Sequence, residues 1–338
     1  MGLKLEFHSQ KSLKKLSELR GCYVGIENYC LRDLYQSNFN DLKDILSLIR
    51  KNSRKLILFD VNDDTGTGFF KLLPYVDEYR KAYVYKDKRL YMKNHYGGRI
   101  WSHYYHKKYG ITDKQQYKNV LVDEKLLRDK IKVGYLLGLY NHLTWFIGKH
   151  KFILSSINKL GGLKFISKKK ILEQIVSPTA ERANLVSCRI NTNFHRATIG
   201  YHRELVKKKL KNDFPTAKIS RMEYLKELKC SKIVISPFGW GEINLPRDYE
   251  VAMMGAILMK PDISHLETYP DIFNKETIVS FDWDCDSINQ VIDDVRKNYS
   301  TYQAKAIKLQ DTLIKYLAME DGIYEFCKHF AGFFSEVR

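Results

Sequence analysis

The sequence predicts an α/β chain of two domains, each built on a parallel sheet with helices on both faces. Three observations lead there. The chain has 338 residues, more than one ordinary core holds, and domains of roughly 150 residues are the natural division. Through the second half, short apolar runs alternate with helical stretches, the pattern of βα units. In the first half, Lys55-Leu-Ile-Leu-Phe-Asp60 is an apolar run that ends in a carboxylate and a Gly-rich loop. Buried parallel strands deliver residues in this way to the carboxyl edge of an open sheet.

Element by element, Gly21–Ile26 reads as a short strand. Asp41–Arg50 reads as a helix, because Leu42, Ile45, Leu46 and Ile49 share one stripe. The strand Lys55–Asp60 follows, then the loop Val61–Gly68. Residues 75–110 are rich in Tyr and His, with no spacing that makes a metal site. Val133–Ile147 is the most apolar stretch, and Asn141 and His142 leave it too short to span a bilayer. Between 148 and 180, Lys and apolar residues alternate at helical spacing around Gly161-Gly162, until Ser177-Pro178. This reads as basic helices leading into a linker, so the domains are residues 1–175 and 180–338. The same helices are the best candidates for an amphipathic surface on a membrane, against the plain reading of solvated helices packed on their own domain. In the second half, Asn184–Arg189, Lys232–Ser236, Ala256–Met259 and Thr277–Phe281 read as strands. His202–Lys211, Arg221–Leu228, Asp248–Met254 and Ser287–Lys297 read as helices, and Pro237–Gly241 as a tight loop.

Composition narrows the partners. Fifty-seven Lys and Arg against 39 Asp and Glu leave a net charge of +18. A field of that sign suits nucleic acid, an anionic membrane surface or phosphorylated substrates. Clusters such as Lys168–Lys170 and Lys207–Lys209 read first as solvated helix faces. The six cysteines are scattered without metal-ligand spacing and read as reduced, buried thiols of a cytoplasmic chain. Met1–Lys15 has no continuous apolar core, so no secretory signal is expected, and a chain of this kind that meets a membrane lies on its inner face.

The segment richest in chemistry is Ser236–Pro261: a buried strand ends, a Gly-rich loop turns, a helix starts and another strand follows. Gly239 and Gly241 let backbone N–H groups and a helix N-terminus face an anion, and Arg247 adds a fork of donors suited to phosphate. Glu242 in the loop and Glu250 on the helix can face one cleft, where a carboxylate accepts two hydrogen bonds from a vicinal diol. The plain alternative for both is a first-turn helix acid in solvent.

This segment resembles the donor-binding signature of GT-B glycosyltransferases, in which two Glu flank a Gly-containing loop and helix, here Glu242 and Glu250, with Gly255 and Pro261 after them. SPFGWGEINLPRDYEVAMMGAILMKPD is more similar still to glycosyltransferases of bacterial surface-polysaccharide clusters (O-antigen, lipopolysaccharide and capsule), with an exostosin-like likeness. ILFDVNDDTG, LPYVDEYRKAYVYKD and HYGGRIWSHYYHKKYG extend the likeness into the first half. The resemblance implies two Rossmann-like domains facing across a cleft, acceptor side first and nucleotide-sugar side second. It implies that Glu250 holds the donor's ribose or sugar hydroxyls and that Glu242 lies near the transferred sugar. Pro246 and Arg247 depart from the small apolar residues common there, which leaves retaining or inverting stereochemistry open.

The basic run Arg189–Arg203 is a second anion candidate. A leaving diphosphate gathers negative charge that a fixed Arg stabilises, and Arg196 and then Arg203 are the candidates. Asp60, Asp63 and Asp64 end a strand and are candidates for the acceptor base, with His95, His103 and His106 as alternatives. Asp60 has the plain alternative of capping its loop. Asp282-Trp-Asp284-Cys-Asp286 has the Asp-x-Asp spacing of a metal site, but it precedes the helix at Ser287 and reads as a cap. No catalytic metal and no cofactor are therefore expected, the nucleotide sugar being a substrate and the acceptor a glycan or lipid-linked glycan. Two other classes compete. A nucleic-acid binder fits the charge and aromatics but lacks a zinc finger, an RNP-like strand and a helix-turn-helix. A protein that binds nucleotide or sugar without transfer has the same local signals.

Overall fold

A computed structural model describes residues 6, 13–114, 120–139, 172–210 and 213–335. The strands among them are β1 (Tyr23–Glu27), β2 (Lys55–Asp60), β3 (Glu78–Lys81), β4 (Tyr83–Tyr85), β5 (Ile131–Val133), β6 (Asn184–Ser187), β7 (Ser231–Ile235), β8 (Ile257–Pro261), β9 (Leu266–Thr268) and β10 (Val279–Phe281). They form a mixed α/β fold on parallel sheets. One four-stranded sheet has the order β1-β2-β3-β5 and the other β10-β8-β7-β6, and every pairing within them is parallel. Central strands of such sheets are covered on both faces. Accordingly Leu56, Ile57 and Leu58 of β2, and Ile233, Val234 and Ile235 of β7, are all at most 1% exposed.

Local sequence explains the first helix of the sheet cover. Asn38 caps Phe39–Asn52 by accepting the Asp41 N–H, and Leu42, Leu46 and Ile49 point into the core. Each such buried aliphatic side chain contributes about 1.5–3 kcal/mol. In the second half, Ser220 and Glu223 form a reciprocal capping box that starts Arg221–Cys230.

Two features tie the halves of the sequence together. β4 pairs antiparallel with β9, Tyr83 opposite Thr268 and Tyr85 opposite Leu266. The helix Glu320–Gly332 brings Phe330 and Phe333 back onto Phe59 of β2, at 6.0 Å between ring centroids for each. The largest apolar cluster accordingly mixes Tyr83, Trp101 and Tyr105 with Phe238, Tyr249 and Leu258.

The strand and helix readings fall on real elements, with ends shifted by a few residues. Ala197–Leu210 starts earlier than the expected His202, and β8 runs through Lys260 and Pro261 instead of stopping before them. Expected as uniformly buried, the cysteines differ: Cys188 and Cys285 are buried, Cys22 and Cys30 partly so, and Cys230 and Cys327 exposed, all as free thiols. The expected basic helices of 148–180 and Lys168–Lys170 lie outside the described residues up to 171, as does most of Val133–Ile147. Among the described residues no helix is long and apolar enough to cross a membrane.

Candidate active site

Two loops meet at the carboxyl edges of the two sheets. The first follows β2. Asp60 closes that strand with its side chain wholly buried, 2.7 Å from Lys81 Nζ. Its carboxylate also accepts from Tyr79 Oη at 2.7 Å and Asn28 Nδ2 at 2.9 Å, and from the Asn62 N–H. Lys81 donates onward to the Thr67 carbonyl, so this buried ion pair clamps the start and end of the loop. A buried charge keeps its place only with such a full set of partners. Asp64 is the second anchor. It accepts from the Thr67 N–H and hydroxyl and from Arg99, 2.9 Å away. Burial alone would raise its carboxyl; Arg99, Lys81 and Thr67 outweigh that and hold it below the usual range. Asp63, between the anchors, is exposed. Its carboxyl is raised, first by the desolvating protein around it and then by the Asp64 charge.

The second loop follows β7 and has the same construction. Asp248 and Lys260 form an ion pair of 2.7 Å with neither side chain exposed. Asp248 also accepts from the Ser236 hydroxyl and the Asn244 N–H, which fixes both ends of the loop. The loops touch at Gly241, where an added Cβ would stand 1.5 Å from the Asp63 carbonyl oxygen. Only glycine permits that approach.

Beside this contact opens a cleft of about 130 Å³, lined by Asp63, Phe194, Arg203, Gly239, Trp240 and Gly241, together with Ile243, Asn244 and Leu245. Arg203 is 5% exposed. It donates to the Phe238 and Asn191 carbonyls and lies over the Phe194 ring, and no carboxylate among the described residues pairs with it. Burial, and next the Arg247 charge, push it down to about 9. Arg247 donates from Nη2 to the Arg189 carbonyl, while its buried Nη1 has no hydrogen-bond partner among the described residues. The rings of Trp240 and Phe194 lie 6.0 Å apart, and Trp240 is 44% exposed. A guanidinium without a paired carboxylate among the described residues, a glycine loop and an aromatic edge thus share one small space.

The expected site residues separate into groups. Arg203, Gly239 and Gly241 line the cleft, with Arg247 on the helix Arg247–Met253 that follows the loop. Arg196 is elsewhere, donating to the Gly97 carbonyl. Glu242 and Glu250 are at most 1% exposed, unlike first-turn acids in solvent. They meet different partners: Glu242 accepts the Thr65 N–H, and Glu250 pairs with Arg221 at 2.6 Å. Asp60 and Asp64, expected as bases, are loop anchors whose oxygens already hold donors, and neither lines the cleft. His95, His103 and His106 are bound into local backbone contacts with Leu90, Tyr96 and Ile111. The carboxylates of Asp282, Asp284 and Asp286 lie within 4.8 Å of one another, and all are engaged. Asp282 accepts the Asp286 and Ser287 N–H groups in the turn before the helix. Asp284 accepts from Tyr104, Tyr109 and Lys108, and Asp286 pairs with Lys209.

Lys81, Lys260, Arg99, Asp248 and His265 escape sequence reasoning. For the two lysines a signal was there: a charge inside or beside an apolar strand demands a buried partner. Arg99 and His265 have no local signature, since their partners lie far along the chain.

No family model matches the chain, and no curated protein does either. Among solved structures, the chain is similar to an alpha-glucosyltransferase in complex with UDP-glucose and DNA containing an abasic site. The TM-score is 0.39 and the identity 8%, over 95% of this chain and 84% of that one.

Proposed function

We propose that the chain is a glycosyltransferase that moves a sugar from a nucleotide-sugar donor to a glycan or lipid-linked glycan acceptor without a metal, residues 1–175 and 180–338 forming the two sides of its cleft. The observation that carries this is Arg203, a buried guanidinium that lines the cleft without a carboxylate partner among the described residues. Burying such a charge is unfavourable unless a mobile anion completes it. The diphosphate of a nucleotide sugar supplies that anion, and as the sugar–phosphate bond breaks its oxygen gains charge that Arg203 and Arg247 stabilise in place. Trp240 and Phe194 offer a face for stacking the base or sugar. The acceptor base is Asp63: of the loop's three aspartates it alone lines the cleft, and its carboxyl, raised by desolvation and the Asp64 charge, is a stronger base than an ordinary aspartate. Glu250 holds the donor's ribose or sugar hydroxyls.

A thermal-shift screen against UDP, GDP, dTDP, CMP and a short single-stranded DNA, with and without EDTA, tests the reading. Stabilisation by one nucleotide, indifferent to EDTA and lost in Arg203→Met, is expected. Stabilisation by DNA alone, or by nothing, would overturn it.

A further inference from the structure

The helix Ala197–Leu210, which carries Arg203 into the cleft, takes its N-terminal cap from the other half of the chain. The Gly200 N–H bonds to the Arg196 carbonyl, which puts Arg196 at the cap position. A guanidinium can only donate, and that of Arg196 does so to the Gly97 carbonyl. Water does not reach the first turn, since Thr198 and Ile199 are 0% exposed. The acceptor comes from 85 residues earlier: Asp113, itself buried, takes the Thr198 N–H on Oδ1 at 3.0 Å. A carboxylate there also suits the positive end of the helix dipole. The Thr198 hydroxyl lies 3.3 Å from Ser102 Oγ and 3.4 Å from Asp113 Oδ1. Asp113 is held in turn, its N–H donating to Tyr96 Oη, whose ring stacks on His106 at 3.8 Å between centroids.

One turn further on, the same helix is gripped again. Tyr105 Oη is 2.7 Å from His202 Nδ1 and donates to the Trp283 carbonyl at 2.7 Å. A phenol has one proton to give, so the His202 Nδ1–H donates back to it. Burial, and then the Arg203 and Lys260 charges, push His202 down to about 3, so the imidazole stays neutral at pH 7. Arg203 is the next residue.

These grips share one segment. Ser102 and Tyr105 lie on the helix Ile100–Tyr109, with Arg99 before it and Asp113 after it. Arg99 reaches the other way, to Asp64 at 2.9 Å, the neighbour of Asp63 in the first loop. Arg99–Asp113 thus holds the loop of the proposed base at one end and the helix of the proposed cation at the other. A slip of that helix along its axis by one residue's rise, about 1.5 Å, would draw Arg203 away from the Phe238 carbonyl, to which it donates at 2.7 Å.

We infer that Arg99–Asp113 is a bracket between the two walls of the cleft, and that Asp113 and Tyr105 are positioning residues that set Arg203 for the donor's phosphates. Neither touches the donor; each acts through the helix. The inference rests on the nucleotide-sugar reading of the cleft.

Isothermal titration of the full chain tests it, with the nucleotide picked out by the screen above and, by displacement, its bare nucleoside. Asp113→Ala is expected to weaken the nucleotide by about fivefold or more and to leave the nucleoside unchanged, because only the phosphates meet Arg203. Asp113→Asn keeps an oxygen for the Thr198 N–H and is expected to stay within about twofold of the parent for both. Should melting curves show Asp113→Ala unfolded, Tyr105→Phe, which keeps the ring in its packing, takes its place with the same expectation. Nucleotide affinity unchanged, nucleoside and nucleotide weakened alike, or no rescue by asparagine would each overturn the inference and leave the cleft reading standing. If the parent binds no nucleotide, or binds it no tighter than the nucleoside, the role of Arg203 in the cleft falls, and the inference with it.

Discussion

Asp248 and Lys260 stand 2.7 Å apart with neither side chain exposed, at the carboxyl edge of the second sheet, as Asp60 and Lys81 do at the first. Each pair ties a glycine-bearing loop to the strands beneath it, and the two loops make the walls of the cleft. The pairs belong to the positioning of the site more than to its chemistry.

Removing one partner of such a pair strands the other as a buried charge. Lys260→Met is expected to destabilise the fold by about 3–5 kcal/mol. The double variant Lys260→Met with Asp248→Asn is expected to recover part of that loss, because the stranded charge is gone. Urea unfolding of the two proteins checks it; a double variant no more stable than the single one would refute the argument.

Glu78 predicts an acid-sensitive contribution. Lys132, Arg80 and Lys55 outweigh its burial and hold its carboxyl down at about 2. The folded value lies below the unfolded one of about 4.3, so the stabilisation is complete above the unfolded value and fades as pH falls towards 2. Discounted for solvent screening at the sheet edge, it amounts to about 1–2 kcal/mol. Glu78→Gln should therefore be less stable than the parent at pH 7, with the difference closing towards pH 2–3. Unfolding free energies across that range decide it.

Gly241 and Gly239 should respond differently to alanine. At Gly241 the new methyl meets the Asp63 backbone oxygen at 1.5 Å; at Gly239 it meets the Asn244 side chain at 3.2 Å. Gly241→Ala must drive the loops apart, with an expected loss of about 1–3 kcal/mol and of nucleotide binding. Gly239→Ala is expected to lower the melting temperature far less. Similar melting temperatures for the two variants would argue against the close approach.

Glu250 and Arg221 pair at 2.6 Å, with Glu250 buried and Arg221 partly exposed. If Glu250 holds donor hydroxyls, Glu250→Ala should weaken nucleotide binding by about tenfold or more, while Arg221→Gln changes it little. Equal losses in the two variants would make the carboxylate a structural partner of Arg221 only.

Asp284 accepts from two tyrosines and a lysine. Asp284→Asn is expected to reduce stability by about 1–2 kcal/mol and to leave nucleotide binding and its indifference to EDTA unchanged. A variant with altered metal response would return the Asp282–Asp286 cluster to consideration as a metal site.

The sequence by itself determined the parallel α/β layout and the places where loops leave the sheets. Those follow from local pattern: apolar runs such as Leu56–Phe59 and Ile233–Ile235 must be buried on both faces, and the glycines after them mark where the chain turns. It also marked the loop around Gly239 and Gly241 and the basic residues Arg203 and Arg247. Only the tertiary structure decided which charges are answered and which are not. Asp60 is filled by Lys81 and Tyr79, whereas Arg203 meets carbonyls and, among the described residues, no paired carboxylate. Glu242 meets Thr65 and His265, and Glu250 meets Arg221. The physical reason is that an ion pair or hydrogen bond depends on distance in space, and these partners come from separate loops and strands. Periodicity along a chain reports which face of an element is buried; it carries no record of what that face will touch.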